Sequence, residues 1–418
     1  MKRQALVLGG GVSGLVAARR LQQAGWQVEL IEASKRLGGS LATHTEAGMP
    51  WELGAHTIAS SPELIAFARA AGVEADLAPV SSVVRRRYMV HEGRLVAIPA
   101  QPFAWLSTPL ISRAAGLRLV VGRLGGWPPR VRPDERLVPA LRRRLGDAGG
   151  SLIAACIATG VYAGDEREIL AAEALAGLGR RRLLRPRHGW QAWLDRAGEG
   201  VPTLPRTRAV SVRRADEGFE VEVAGPDGAR RLFGQKLVAA LPASAATAVL
   251  APLGDTGRFA AIPHAPVATV VLACRRDQME PLPDGFGLLD PFDATDGVLG
   301  CIFASSIAPE IAPPGTHVLT VLIGGQCRED LVDIDDGALV EHAWRALTPL
   351  LGLRGEPWAT VIRRWRPGIP QPTPEALAAR EAAAAIEARH PGLHILGDWR
   401  HGVGVPACVA AAWGIETG

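Results

Sequence analysis

Lysine is almost missing from this sequence. Of its 46 lysine and arginine residues, only Lys2, Lys35 and Lys236 are lysines, and the formal net charge is +4. The arginines form short clusters, and no zinc finger, aromatic RNA-binding signature or long basic tail accompanies them. This pattern is typical of solvated protein surfaces, and we therefore expect no nucleic-acid partner.

Cysteine is scarce as well, and the five cysteines are widely spaced. Their number is odd and none forms a Cys-x-x-Cys pair, so neither a metal site nor a disulfide framework is expected. The chain enters an apolar segment a few residues after Met1, without the pattern of a secretory signal. These features predict a cytoplasmic protein.

Long uninterrupted apolar runs are also absent. Residues 95–112 carry no charge, but Pro99, Pro102 and Pro109 interrupt them, so a membrane-spanning helix is not expected. The overlapping stretch of residues 103–131 combines apolar side chains and tryptophans with spaced arginines. A packed helix, a wall of a substrate pocket and peripheral contact with the cytoplasmic face of a membrane are all open for it.

The remaining composition is that of a globular protein. With 418 residues, 48% of them hydrophobic and 21% charged, the chain is long enough for two or more domains. Residues 207–223 and 230–241 are predicted to be strands of a sheet to which the chain returns. The proline-rich residues 365–372 are expected to form an irregular connection.

The N-terminal segment carries the strongest motif. A short apolar run, as in a strand buried on both faces, leads into Gly9, Gly11 and Gly14 with the spacing G-x-G-x-x-G. A helical pattern follows, and residues 27–31 then form a second apolar strand that ends in Glu32. This setting between two strands predicts a dinucleotide-binding βαβ unit.

Each residue of this motif has a physical role. Gly9 permits the tight turn, Gly11 lets a pyrophosphate approach the backbone, and Gly14 allows close packing of helix and strand. The free N–H groups at the helix N-terminus favour a phosphate. A carboxylate at the end of the second strand accepts hydrogen bonds from a ribose diol.

The next motif narrows the choice of dinucleotide. Arg36-Leu-Gly38-Gly39 directly follows the second strand, and Trp51-Glu-Leu-Gly54-Ala-His56 comes after it. The pattern Glu-x-x-x-Arg-x-Gly-Gly resembles the superfamily of FAD-dependent amine oxidases and phytoene desaturases. In that superfamily the glycine pair approaches the cofactor and the arginine lies by its pyrophosphate.

The C-terminal segment contains a second cofactor motif. Gly397-Asp398-Trp-Arg-His-Gly402-Val-Gly404-Val-Pro406 is predicted to be a glycine loop between a strand and a helix that begins near the proline. A helix N-terminus directs a positive dipole at a ligand, which suits the anionic edge of a reduced flavin. Asp398 is placed to bind cofactor hydroxyls. These residues favour FAD over NAD and predict that both chain ends meet on one cofactor.

Taken together, the chain resembles the protoporphyrinogen oxidase family, which includes coproporphyrinogen oxidases. Besides the N-terminal motif, Thr159-Gly-Val-Tyr162-Ala-Gly164-Asp165 is close to that family's Gly-Val/Ile-Tyr-Ala-Gly-Asp. The C-terminal motif is close to its Gly-Asn-Tyr-x-Gly-Val-x-Val ending. The sequence departs at Ala407, where the family often has an acid, and at Asp398, where it often has asparagine. Residues 165–198 are shorter than usual, which bears on the shape of the substrate cavity.

The resemblance implies an α/β fold: a Rossmann-like FAD-binding domain of the p-hydroxybenzoate-hydroxylase type, with an inserted α+β substrate domain and a helical subdomain. The boundaries follow. The FAD-binding domain takes residues 1–57, 200–250 and 385–418, the substrate domain residues 58–88 and 251–384, and the helical, potentially membrane-contacting subdomain residues 89–199.

The residues expected to bind FAD follow from both motifs and the resemblance. They are Gly9, Gly11, Val12, Ser13, Gly14, Glu32, Ala33, Arg36, Gly38, Gly39, Gly54, Ala55, His56, Val210, Gly397, Asp398, Gly404, Val405 and Pro406.

The implied reaction is oxidation of a porphyrinogen, protoporphyrinogen or coproporphyrinogen, by hydride transfer to the flavin, with oxygen as acceptor. Arg87 matches the position where the family places an arginine for a substrate propionate, and a solvated arginine is the alternative. No acid–base dyad is evident, and His56 and His401 are expected to be structural or surface residues. Two other functions stay open: a related flavin amine oxidase or isoprenoid desaturase, and a flavin-binding partner without turnover.

Overall fold

The computed structural model describes residues 3–80, 84, 86–124, 130–176, 182–293 and 296–418. Its strands are β1 Gln4–Leu8, β2 Gln27–Ile31, β3 Thr43–Glu46, β4 Met49–Glu52, β5 Ile58–Ala59, β6 Leu77–Pro79, β7 Tyr88–His91, β8 Arg94–Ala97, β9 Leu183–Pro186, β10 Thr203–Leu204, β11 Arg208–Ala215, β12 Gly218–Gly225, β13 Gly228–Gly234, β14 Lys236–Ala240, β15 His264–Arg275, β16 Gly287–Leu289, β17 Val298–Ile302, β18 Thr316–Gly324, β19 Ala359–Pro370 and β20 Leu393–Leu396.

The α-helices are α1 Val12–Gln23, α2 Pro62–Ala70, α3 Arg113–Leu124, α4 Leu137–Leu145, α5 Asp147–Ile157, α6 Ala171–Ala176, α7 Trp190–Gly198, α8 Ala243–Leu250, α9 Gly257–Ala260, α10 Ala304–Ile307, α11 Asp336–Leu351, α12 Pro374–Arg389, α13 Asp398–His401 and α14 Val405–Trp413. A 3-10 helix spans Pro102–Leu106, and a π-helical turn spans Ala158–Tyr162. Within the described ranges, no helix has both the length and the apolar character needed to cross a bilayer.

A five-stranded parallel sheet forms the first layer, in the order β10-β2-β1-β14-β20. The apolar run of β1 is fully buried, as its sequence predicts. Because β2 and β14 lie on opposite sides of β1, the chain reverses direction across the sheet there. Ligands bind outside the carboxyl ends of the strands at such a switch point. Gly9, Glu32, Leu241 and Gly397 all follow those ends directly.

Helices cover both faces of this sheet. On one face, Val7 packs with Leu15 of α1 and Val409 of α14. On the other face, Leu8 packs with Ala246 of α8 and Ala379 of α12. Alternate side chains of one strand therefore enter two separate cores, as in a doubly wound α/β domain. The predicted fold class is confirmed.

The segment of residues 207–241, predicted to return to this sheet, joins it only in part. Residues 236–240 pair with β1 as β14, in agreement with the prediction. The preceding strands β11, β12 and β13 form a separate antiparallel sheet. Val212 and Phe219 of that sheet are buried against the same core as Leu8, so the meander covers part of the parallel sheet.

A seven-stranded sheet in the order β19-β15-β18-β17-β16-β7-β8 forms the second layer. Its central strands bury one face against α11, where Leu272 and Leu319 pack with Leu347. The prediction of an irregular connection at residues 365–372 was wrong for most of its length, because β19 extends to Pro370. Its prolines are tolerated because β19 lies at an edge and its register shifts opposite residues 265–267.

A cluster of helices α3 to α6 packs over the β7–β8 hairpin, with Met89 of β7 buried among Leu119, Leu141 and Leu152. The hairpin belongs to the seven-stranded sheet and crosses the boundary predicted between residues 88 and 89. The domain boundaries otherwise stay predictions.

The basic stretch of residues 103–131 has two kinds of apolar side chain. Trp105 and Leu119 are buried in the helical cluster, whereas Phe103, Leu117 and Val121 are exposed. Residues 125–129, which include Trp127, lie outside the described residues. The segment therefore packs one set of apolar side chains into the helical cluster and exposes another set to solvent.

Candidate cofactor and active site

The loop after β1 has the geometry that its three glycines predict. Gly9 adopts a φ of +97°, and a β-carbon there would lie 2.2 Å from the carbonyl oxygen of Ala240. A β-carbon at Gly14 would lie 1.8 Å from the carbonyl oxygen of Gly9, whereas one at Gly11 meets nothing within 4 Å. Two glycines thus permit close packing, and the third leaves open space at the N-terminus of α1, where Val12 and Ser13 begin the helix.

The second glycine pair lies against this loop. The N–H of Gly38 donates to the carbonyl oxygen of Gly10 at 2.8 Å, and a β-carbon at Gly39 would lie 3.3 Å from the Cα atom of Gly11. Arg36 donates to the carbonyl oxygens of Gly39 at 2.7 Å and Leu41 at 3.1 Å. Its guanidinium therefore fixes the shape of the loop that covers the phosphate-binding turn.

Glu32 connects the two loops to the returning chain. Its carboxylate accepts from the N–H groups of Gly10 and Ser34, both at 2.6 Å. Its carbonyl accepts from the N–H of Thr207 at 2.9 Å. Three residues later the register of β11 shifts at Val210, whose side chain is 44% exposed. Glu32, the adjacent Ala33 and Val210 are thereby drawn to the same end of the sheet.

Gly54 supports the loop from below, since a β-carbon there would lie 2.4 Å from the carbonyl oxygen of Ser40. Past Ala55, His56 is buried and its Nε2 atom has no hydrogen-bond partner among the described residues. Burial lowers the pKa of His56 to about 4, so the imidazole is neutral near pH 7. His56 was predicted to be a structural or a surface residue, and its burial excludes the surface alternative.

The C-terminal motif closes the site. Gly397 follows β20, and Trp399 donates from Nε1 to the carbonyl oxygen of Leu241 at 3.0 Å. Burial raises the pKa of the Asp398 carboxyl. Helix α14 packs directly on α1 through the core that holds Leu15 and Val409. The two ends of the chain therefore meet at the carboxyl edge of the parallel sheet.

These residues fit FAD. A β-carbon at Gly404 would approach only the Cδ atom of Pro406, at 3.8 Å, so the backbone before α14 is open to a ligand much as it is at Gly11. The N-terminus of α1 offers N–H groups to a pyrophosphate, and that of α14, at Val405, offers its dipole to an anionic ring edge. The contact of Glu32 with ribose hydroxyls stays a prediction.

A cavity of about 670 Å³ opens beside the C-terminal loop. Val161 and Tyr162 form one wall, and Asp398 and Gly402 form another. Gln371 also lines the cavity, and its buried Nε2 donates to the carbonyl oxygen of Tyr162 at 2.9 Å. The two motifs that carry the family resemblance therefore line one cavity.

Three charged residues in the described lining of this cavity, Glu63, Glu173 and Arg380, were missed by the sequence analysis. Arg380 of α12 forms an ion pair with Glu173 of α6 and donates from Nε to the carbonyl oxygen of Trp399 at 3.2 Å. Nothing in the alanine-rich sequence around Arg380 distinguishes it from a surface arginine. Tyr162 is close to both charges, and burial followed by the Glu173 carboxylate raises its pKa to about 12.

His401 also lines the cavity, contrary to a simple surface placement. Burial lowers its pKa, and its Nε2 atom has no hydrogen-bond partner among the described residues. Its ring is therefore neutral near pH 7.

Arg87 lies elsewhere, just before β7. Its guanidinium stacks over the ring of Phe286 at 5.0 Å, and burial lowers its pKa. Among the described residues Arg87 stacks on Phe286 and forms no ion pair, and the described lining of the 670 Å³ cavity does not include it. Its role as a propionate anchor stays a prediction.

The sheet, the paired glycine loops and the C-terminal helix define a class of protein, the FAD-dependent oxidoreductases. The chain belongs to the flavin-containing amine oxidoreductase family, whose sequence model matches residues 12–414. FAD is the cofactor, as the two motifs predict.

Individual relatives agree with the predicted resemblance. Human protoporphyrinogen oxidase is 29% identical, over 98% of this chain and 96% of its own length. Coproporphyrinogen III oxidase of Bacillus subtilis is 22% identical, with 98% and 96% covered. A solved structure from Exiguobacterium sp. 255-15, provisionally described as a protoporphyrinogen oxidase, superposes with a TM-score of 0.81 over 99% of this chain and 97% of its own, at 21% identity.

Proposed function

We propose that this protein oxidises a porphyrinogen, protoporphyrinogen or coproporphyrinogen, to the corresponding porphyrin in tetrapyrrole synthesis. The observation that carries the proposal is the meeting of Tyr162 and Asp398, from the two family-specific motifs, on one cavity beside the cofactor cradle. Relatives named for both substrates match nearly the whole chain, which supports a porphyrinogen and leaves the choice between the two open.

When bound, FAD supplies a hydride acceptor for a substrate carbon. The chain itself holds the substrate and excludes water. Alanine, valine and proline side chains form much of the cavity wall, to which residues of α2 and α14 contribute. Near neutral pH the imidazole of His401 is uncharged, so it can accept a hydrogen bond from a pyrrole N–H. Molecular oxygen is the proposed final acceptor.

A flavin amine oxidase or isoprenoid desaturase is the alternative enzyme. Amine oxidases of this superfamily often place a lysine beside the flavin. Here Lys236 begins β14, at the edge of the sheet opposite Gly9 and Gly397, and its Nζ atom is engaged by the carbonyl of Glu416. Lys236 is therefore not available for that role, which favours the porphyrinogen.

Peripheral contact with a membrane is a further part of the proposal. Phe103, Leu117 and Val121 are exposed beside the exposed arginines Arg113 and Arg118. Apolar side chains flanked by cations can enter the interface of an anionic membrane. We propose that this face docks on the cytoplasmic side of a membrane, where an apolar porphyrinogen would partition.

The test is anaerobic mixing of the flavoprotein with each porphyrinogen. Loss of the oxidised flavin absorbance, followed by porphyrin fluorescence when air is admitted, is the expected result. A flavin spectrum that neither substrate changes would exclude both oxidase activities and leave a flavin-binding partner protein. Bleaching by an amine or a carotenoid precursor instead would select the alternative enzyme.

A further inference from the structure

The ion pair of Arg380 and Glu173 is an unusual feature for a cavity wall. Among the described lining residues, Arg380 carries the one guanidinium, and Glu63, Glu173 and Asp398 carry carboxylates. The side chains of Arg380 and Glu173 are 18% and 30% exposed, so water screens the pair only in part. A ligand that enters this cavity meets a cation whose charge is already balanced.

The guanidinium is held in a fixed position. Its Nε atom donates to the carbonyl oxygen of Trp399 at 3.2 Å, and its Nη1 atom is bound by Glu173. Its Nη2 atom donates to none of the described residues. A guanidinium has five N–H donors, and a carboxylate binds two of them side by side. The Nη2 atom of Arg380 is therefore available to a ligand. A carboxylate that binds both Nη1 and Nη2 must displace Glu173 from Nη1.

On the basis of the proposed function, we propose that Arg380 binds a carboxylate of the substrate and that Glu173 competes with that carboxylate for the guanidinium. Glu173 thereby sets the specificity of the cavity. It keeps Arg380 neutralised when the site is empty of carboxylates, and it repels substrates that bring more carboxylates than Arg380 can accept. Arg87, which precedes β7 and lies outside the described lining of the cavity, is not part of this contact.

The alternative is that the pair only ties α6 to α12. A structural tie would affect every ligand of the cavity alike, whereas a carboxylate contact depends on the charge of the ligand. Comparison of a porphyrin acid with its neutral ester therefore separates the two explanations.

The experiment measures binding of coproporphyrin and of its methyl ester to the FAD-loaded protein, by quenching of tryptophan fluorescence. Arg380→Gln is expected to weaken binding of the acid about tenfold or more and leave the ester within about twofold. Glu173→Gln is expected to tighten binding of the acid about threefold. Glu168→Gln is the matched control, because Glu168 pairs with Arg136 at 3.2 Å outside the cavity, and it should change neither.

Equal losses for acid and ester in Arg380→Gln would overturn the proposal, and so would unchanged affinity for the acid. Flavin content and circular dichroism show whether the variants fold, and Arg380→Lys, which keeps the charge without the fork, should retain part of the acid affinity. Since these are equilibrium measurements, they stand apart from the proposed reaction. That reaction fails only if the wild-type enzyme oxidises neither porphyrinogen.

Discussion

The N–H of Gly38 lies 2.8 Å from the carbonyl oxygen of Gly10 and joins two glycine motifs that are 28 positions apart in the chain. This hydrogen bond makes one cradle of the turn after β1 and the loop after β2. Each loop excludes side chains from the other, since even a β-carbon at Gly39 would crowd the backbone of Gly11. The cradle is therefore built from main-chain atoms, which suits the close approach of a pyrophosphate.

Gly11→Ala is expected to reduce FAD affinity without unfolding the protein. Gly11 has φ −67° and ψ 177°, which alanine adopts freely, and its β-carbon would meet no protein atom within 4 Å. The methyl group would instead occupy the space left for the cofactor. Flavin retention during gel filtration and the melting temperature of the apoprotein measure the two effects separately. An unchanged flavin content would mean that the pyrophosphate does not approach Gly11.

Gly14→Ala is the counterpart in which protein packing itself fails. A β-carbon there would lie 1.8 Å from the carbonyl oxygen of Gly9, so helix α1 must shift. We expect a loss of about 2 kcal/mol or more in the free energy of unfolding, as for overpacked cores. The melting temperature of the Gly14→Ala apoprotein should be well below that of the Gly11→Ala apoprotein. Equal melting temperatures would contradict the packing role of Gly14.

Stability should depend on pH through Glu52. This carboxyl is buried, and burial raises its pKa from an ordinary 4.5 to about 7, although Trp190 and Thr43 donate hydrogen bonds to it. Because the folded-state pKa is raised, the stability that the protonated group provides is complete below pH 4.5 and is lost as the pH rises through about 7.

Relative to wild type, Glu52→Gln should therefore have a higher free energy of unfolding at pH 8 than at pH 5. The difference between the two pH values should be on the order of 2 kcal/mol. Chemical denaturation of wild type and variant at both pH values measures this difference. Glu217→Gln, at an exposed turn, serves as the control and should show no such pH dependence. His56 acts in the opposite direction in both proteins, because its lowered pKa removes stability as the pH falls from the ordinary 6.5 towards about 4.

Arg87→Ala is expected to raise KM about tenfold for a porphyrinogen while bound FAD stays intact. The guanidinium stacks over Phe286, and a propionate bound to it would lose its charge-assisted partner in the variant. Steady-state kinetics and the flavin spectrum check the two parts. Arg86→Ala, an adjacent arginine that is exposed like Arg87, is the matched control. An Arg87→Ala enzyme with the KM of wild type would remove Arg87 from the site.

Replacement of Phe103, Leu117 and Val121 by serine should reduce binding to vesicles that contain anionic lipid. All three side chains are exposed in the structure, at 72%, 55% and 59%. Their removal takes away apolar area that would enter the bilayer interface. Co-sedimentation with vesicles is the measurement, and turnover of a soluble porphyrinogen is the control. Equal sedimentation of wild type and variant would exclude this face as the docking surface.

The sequence alone determined the parallel sheet and its cofactor. The glycine spacing, Glu32 and the C-terminal glycine loop act through main-chain geometry, which a local pattern records directly. That is why the sequence predicts the turn at Gly9 and the close packing at Gly14, and why it favours FAD over NAD.

The tertiary structure alone decided which residues line the cavity. Arg380, Glu173 and Gln371 come from segments about 200 positions apart at the extremes, and no local pattern marks them, because their roles arise from packing α6 and α12 against the C-terminal loop. The prolines of β19 misled the sequence analysis for a related reason, since an edge strand tolerates what a central strand does not. Local sequence motifs predict the backbone conformation that binds a cofactor. The residues of a cavity wall come together only when segments distant in the sequence pack against one another.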